Sequence, residues 1–178
     1  MKEFNYFIAL EAELEDSFNY IEPDTNNFCC YGAKYASLLN TVCIEFEATA
    51  KALINSVAPG TSTGNIGEIK GQLLKLFPNI ESNEVKVLRI NKDIFPFKDW
   101  STSKLDWWDE YTDLKHNRIM HYDKANLKNI LNAMSALLVL IVYLEKHRDK
   151  KNDVHITKVF LMDCMPALMA TEGRDLPD

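Results

Sequence analysis

Apolar side chains recur every three or four positions along most of the chain, which is the spacing of one face of an α-helix. The first stretch of this kind covers residues 3–21 and carries its acidic residues on the outer face. The second runs through residues 28–57 and stops at a Pro-Gly pair. The third runs from 66 to 77, with Asn65 in the position of a capping residue. This part of the chain is therefore predicted to form three amphipathic helices.

The spacing changes after these helices. VKVLRI at 85–90 alternates apolar and polar side chains, which predicts a short strand with Val85 and Val87 facing inward. HITKVFLMD at 155–163 fits a second short strand that pairs with the first. Residues 90–104 are predicted to form an ordered loop that aromatic side chains attach to the core, namely Phe95, Phe97 and Trp100.

Helical spacing returns at 105–119, where either Ser103 or Asp106 is placed to cap the helix. Its apolar face is predicted to consist of Trp107, Tyr111 and Leu114. Asp123 is in position to cap a last helix over 124–148, which is apolar on all sides along most of its length. A helix of that kind lies in the middle of a bundle.

These elements predict a mainly α fold, an up-and-down helical bundle of four to five helices with at most a short two-stranded β element. A chain of 178 residues that is 47% hydrophobic has the size and composition of one domain with one core. We expect that domain to cover residues 1–169, followed by a flexible tail at 170–178.

The chain is acidic, with a net charge of −6 and a pI near 5.3. DNA and anionic membrane surfaces attract proteins that carry a broad cationic field, so neither is an expected partner. The N-terminus becomes acidic by residue 11 and has no cleavage site, and the most apolar run, 133–144, has 12 residues. A membrane span needs about 20. These features predict a cytoplasmic protein.

The four cysteines occur at positions 29, 30, 43 and 164, without a C-x-x-C pair. This spacing favours reduced thiols over a zinc site or a redox pair. His116 and His121 are five positions apart, whereas a metal-binding pair on a helix is spaced by four. Neither a metal nor a cofactor is therefore predicted.

The candidate chemistry lies in LKHNRIMHY, at 114–122. If the helix continued to residue 122, Lys115, Arg118 and His121 would form one ridge at i, i+3 and i+6. A guanidinium can grip phosphate oxygens as a fork, and an imidazole can move a proton near neutral pH. Asn117 belongs to the same segment, and His116 would be oriented by Asp113.

An ordinary structural role explains the same cluster. Cations at the end of a helix complement its dipole, each contributing roughly 0.3–1 kcal/mol, without any substrate. On the second helix, Glu47 and Lys51 are spaced as a surface ion pair. Glu45 falls near the edge of the core, where a half-buried carboxylate needs a partner, and Lys115 or Arg118 is a candidate.

The segments WWDEYTDLKHNR at 107–118 and ANLKNILNAMSALLVLIVYL at 125–144 resemble the bacterial HEPN-like helical proteins. FNYFIALEAELEDSFNYI at 4–21 and CIEFEATAKAL at 43–53 share the resemblance, which covers roughly residues 3–145. It implies a helical bundle that commonly pairs into a homodimer. In active members a polar residue, an Arg and a His at the dimer interface cleave RNA without a metal, several of them in toxin–antitoxin or phage-defence systems.

Active HEPN-like proteins place four to six residues between the Arg and the His, whereas only two separate Arg118 from His121. The resemblance implies that Arg118 would stabilise the phosphorane charge and that His121, or His116 as a substitute, would transfer the proton. It places Glu45 at the acidic position on the earlier helix. Lys115 and Asn117 are candidate substrate-binding residues. The short spacing and the acidic pI favour a non-catalytic protein-binding or regulatory module in a stress or defence setting, with a protein partner such as an antitoxin. The alternative is a metal-independent ribonuclease or RNA-binding protein.

Overall fold

The computed structural model describes residues 2–149 and 155–162. Within them it contains five α-helices and one antiparallel sheet of four short strands. The helices are α1 (Lys2–Ser17), α2 (Ala33–Val57), α3 (Ile66–Leu76), α4 (Asp106–His116) and α5 (Leu127–Asp149), and the strands are β1 (Val85–Val87), β2 (Lys92–Ile94), β3 (His155–Ile156) and β4 (Phe160–Met162). The predicted mainly α fold is confirmed. The predicted tail at 170–178 lies outside the described residues.

The centre of the molecule is the pair α2 and α5, against which α1 and α4 also pack. Residues 130–142 of α5 are buried except for the half-buried Asn132. This burial confirms the prediction that the last helix occupies the middle of the bundle. By length and hydropathy the segment Leu127–Arg148 would suffice to cross a membrane, but 89% of its most apolar window is buried inside the structure. It packs as a core helix.

The sheet has the strand order β2-β1-β4-β3. Val87 of β1 is aligned with Phe160 of β4, so the predicted pairing between these two segments is confirmed. The sheet is wider than the two strands expected, because the chain turns at Asn91 in the left-handed conformation (φ 47°) and adds β2, and β3 pairs with β4. The inward side chains Val85 and Val87 are fully buried.

The predicted N-terminal capping residue is confirmed for α3, whereas the predictions for α4 and α5 are wrong. Asn65 caps α3, its side chain accepting from the amide of Glu68 at 3.0 Å. No side chain caps α4, whose N-cap is Leu105, because the hydroxyl of Ser103 instead donates to Asp99 O. Asp106 already lies inside the helix.

The cap of α5 is Asn126 and not Asp123. Its side-chain oxygen accepts from the amide of Asn129 at 3.0 Å, while Asp123 lies in a single 3₁₀ turn that precedes the helix. The first helix is also shorter than predicted and ends at Ser17. The Ser17 hydroxyl donates to Leu14 O at 2.6 Å and lies 3.1 Å from the hydroxyl of Tyr35, which ties this end of α1 to α2.

Candidate functional site in the turn between α4 and α5

The predicted ridge of Lys115, Arg118 and His121 does not form, because α4 ends at His116. Asn117 leaves the helical conformation (φ −145°, ψ 72°), and residues 118–120 form a hydrogen-bonded turn. We refer to residues 115–122 as the α4–α5 turn. It includes Lys115 and His116, the last two residues of α4, while Arg118 and His121 lie beyond the end of the helix, so the candidates do not share one helical face. All of them are exposed except the half-buried His121.

The backbone of the turn is fixed by its own hydrogen bonds. The carbonyl of Asn117 accepts from the amides of Met120 (3.2 Å) and His121 (3.1 Å), and the carbonyl of His121 accepts from Lys124 (3.1 Å). The Asn117 side chain adds a longer contact to the amide of Met120, at 3.4 Å. Asn117 therefore has a structural role in shaping the turn.

The chain just beyond the turn pairs with residues 28–32. Gly32 N donates to Ala125 O (3.4 Å), Leu127 N to Cys30 O (3.0 Å), and Lys128 N to the carbonyl of Phe28 (3.1 Å). These three bonds attach the start of α5 to the segment that leads into α2. The chain is therefore anchored directly after the turn.

Two large apolar side chains stand at the tip of this turn. Ile119 is 90% exposed and Met120 is 71% exposed. Two residues after Met120 in the sequence, the ring of Tyr122 meets the ring of Tyr31 edge to face, with the centroids 5.7 Å apart, and Tyr31 is itself 54% exposed. The surface thus combines aliphatic and aromatic groups that the fold leaves in contact with water.

The basic candidates are exposed except for His121. Arg118 is exposed and forms no ion pair with any of the described residues. Lys115 lies over the ring of Tyr111, 5.9 Å from its centroid. His116 is exposed, and within residues 2–149 and 155–162 no hydrogen bond joins it to Asp113, so the predicted orienting contact is wrong. His121 is half-buried.

A network of polar side chains connects the segments on the two sides of the turn. Glu110 of α4 accepts from the ammonium of Lys124 at 3.2 Å and also accepts from the side-chain amide of Asn129. Asn129 also donates to Lys124 O at 2.8 Å and is 1% exposed. The hydrogen bond to Glu110 is the main reason that the pKa of Lys124 is raised. The network joins α4 to the beginning of α5 across the turn.

Glu45 is not part of this surface. It makes no hydrogen bond or ion pair with Lys115 or Arg118, so the partner predicted for it is wrong. Burial raises the pKa of this carboxyl, and the nearby charge of Glu3 raises it further. The Glu47–Lys51 pair is confirmed at 2.6 Å.

Three exposed residues of this surface were not among the predicted site residues, namely Tyr31, Ile119 and Met120. Nor was Glu11, an acid of α1 that is 1% exposed although the acids of that helix were expected outside. Glu11 lies four positions after Phe7 and three before Leu14, both fully buried. That spacing is the signal that predicts its burial.

Within the described residues no group of three His, Cys, Asp or Glu side chains is arranged to hold a metal ion. The thiols of Cys29, Cys30 and Cys43 are free. No family model, no curated protein and no solved structure matches the chain. The functional argument therefore depends on the geometry of the turn, and the HEPN-like resemblance stays a prediction.

Proposed function

We propose that this protein is a non-catalytic protein-binding module, regulatory in a bacterial stress or defence setting, and that the α4–α5 turn is its contact surface. The observation that carries the proposal is the exposure of Ile119 (90%) and Met120 (71%) on a turn whose backbone is fixed. Single exposed apolar residues are ordinary on protein surfaces. Here two of them are adjacent and share one turn with the exposed Arg118 and with Tyr122, whose ring contacts Tyr31.

The composition of the turn fits a protein interface. Tyr, Met and Arg are enriched in such interfaces. The residues that contribute most of the binding energy lie at the centre of the interface and are surrounded by a polar rim. A turn already held in one conformation loses little conformational entropy on binding. These properties support a contact surface that is formed before its partner arrives.

The charges of the turn favour a distinct partner over a second copy. A two-fold symmetric contact through the turn would bring Lys115 and Arg118 close to the same cations of the other copy, which costs free energy. A partner that presents carboxylates around an apolar side chain would complement both features. An acidic protein such as an antitoxin has this chemistry.

The test compares partner capture by three folded proteins. The parent and an Ile44→Ser variant, which changes a 62% exposed residue on α2, are expected to retain the same partner. The Ile119→Ser/Met120→Ser variant is expected to lose it at unchanged circular dichroism and unchanged unfolding midpoint. A partner that binds all three proteins equally would refute the assignment of the surface. Light scattering of the purified protein reports whether it pairs with itself.

The second candidate is a metal-independent ribonuclease or RNA-binding protein. The observation that favours it is the accessibility of Arg118, with His121 in the same turn. Arg118 would stabilise the phosphorane charge, and His121, or His116 in its place, would transfer the proton. RNA cleavage in EDTA that disappears in both Arg118→Ala and His121→Ala would replace the first proposal with this one.

A further inference from the structure

A second candidate site lies between α1 and the C-terminal hairpin, away from the α4–α5 turn. A cavity of about 300 Å³ is lined there by Ile8, Glu11 and Ala12 of α1 and by Thr157 and Lys158 of the turn between β3 and β4. This volume is at the lower end of the range of pockets that bind small molecules. We refer to it as the Glu11 cavity.

Glu11 gives this cavity its chemical character. One of its oxygens, Oε1, accepts from the amide of Val159 at 2.9 Å and from the hydroxyl of Thr157. The other, Oε2, receives no hydrogen bond from any of the described residues. Oε2 is not one of the fully buried side-chain oxygens that lack a partner, so it keeps some contact with solvent where Glu11 lines the cavity. The cavity therefore offers one strong acceptor.

Among the described residues, no cation forms an ion pair with Glu11. The ammonium of Lys158 is 3.0 Å from Glu15 Oε2, and its side chain is 73% exposed. Lys158 is thus paired with a neighbouring acid and screened by water, so that Glu11, Glu15 and Lys158 together contribute one net negative charge. An anionic ligand would be repelled by the carboxylate.

The rest of the lining is apolar or neutral, with the aliphatic side chain of Ile8, the methyl of Ala12 and the side chain of Thr157. A ligand that fits must donate strongly at one end and be apolar at the other. We propose that the Glu11 cavity binds an alkylammonium group, whose N–H donors satisfy Glu11 Oε2 while its short aliphatic chain lies against Ile8 and Ala12.

The test titrates the full chain with n-butylammonium chloride while the amide resonances of Ala12 and Val159 are followed by NMR. Neutral n-butanol and anionic butyrate are the matched probes, since they have the same chain without the positive charge. Saturable shifts with n-butylammonium that neither matched probe produces are expected. Equal binding of n-butanol and n-butylammonium would overturn the proposal.

Two sources present this chemistry, a free aliphatic amine and a lysine side chain. Nα-acetyl-lysine methylamide distinguishes them. Binding comparable to that of n-butylammonium supports a lysine side chain of a peptide, and binding of n-butylammonium alone supports a free amine. The absence of binding by both refutes the proposal.

Variants assign the interaction to Glu11. Glu11→Gln keeps an acceptor for Val159 and Thr157 but removes the charge, and should weaken n-butylammonium binding by about tenfold, or roughly 1.4 kcal/mol. Glu13→Gln, an exposed position on the same helix, is the control and should bind like the parent. Ala12→Leu fills the cavity from an exposed position, so it provides a second test if Glu11→Gln does not fold. Unchanged binding in Ala12→Leu would contradict the location.

Discussion

Replacement of Asn126 by alanine tests how the central helix begins. The Asn126 side chain accepts from the amide of Asn129 and donates to the carbonyl of Asp123, both at 3.0 Å. Alanine removes both bonds and leaves an amide of the first turn of α5 without its acceptor. Loss of an N-cap side chain typically costs about 1 kcal/mol and up to roughly 2 kcal/mol of stability.

The expected change is measurable by thermal or urea unfolding. For a protein of about this size, 1 kcal/mol lowers the melting temperature by roughly 2–4 °C, so Asn126→Ala should melt about 2–8 °C below the parent. Asn126→Asp keeps the accepting oxygen at the positive end of the helix and should recover most of the loss.

Asp123→Ala is the matched control, because Asp123 is the residue that the sequence pattern assigned as the cap. Its side chain is exposed and makes no capping hydrogen bond with any described residue, so its removal should change stability by less than about 0.5 kcal/mol. The reasoning is refuted if Asp123→Ala destabilises the protein as much as Asn126→Ala does.

Three further changes probe other parts of the molecule. Folding raises the pKa of Glu45, so ionisation of this carboxyl lowers the stability of the fold as the pH rises from the ordinary pKa of 4.5 through the raised pKa. Glu45→Gln should therefore be more stable than the parent at pH 7. The difference should vanish below the ordinary pKa of 4.5. Phe46→Ala should cost about 3–5 kcal/mol in urea unfolding, since the ring meets that of Trp107 at 5.1 Å. Glu110→Ala should cost about 1–3 kcal/mol in the same assay by leaving the buried Asn129 short of a partner.

The long helices were predictable because their signals are local and repeated. The apolar stripe of α2 runs to a Pro-Gly stop, and the uniformly apolar middle of α5 requires a central position. The cap at Asn65 and the pairing of β1 with β4 follow from equally direct patterns. The choice between Asp123 and Asn126 was not predictable, since both residue types cap helices well and tertiary pairing decides between them.

Tertiary pairing also sets the end of the α4–α5 turn. The backbone of residues 125–128 bonds to residues 28–32, which are far away in the sequence. Periodicity within residues 105–122 carries no information about that pairing, so the pattern predicted a longer helix. Glu11 was predicted to lie on the outer face of α1 because it is charged, although its spacing from Phe7 and Leu14 puts it on the buried face.

The position of Arg118 supplies a physical reason for α4 to end at His116. Tyr111 and Leu114 are buried on one face of the helix, and position 118 would follow on that face if the helix continued. Burial of an unpaired guanidinium costs several kcal/mol, more than the propensity differences among ordinary helix residues. Ending the helix keeps Arg118 in water, and the reversal that follows carries Ile119 and Met120 outward with it. The charge that suggests catalysis in this segment is thus also a reason that it forms an exposed apolar turn, the surface that we propose for partner binding.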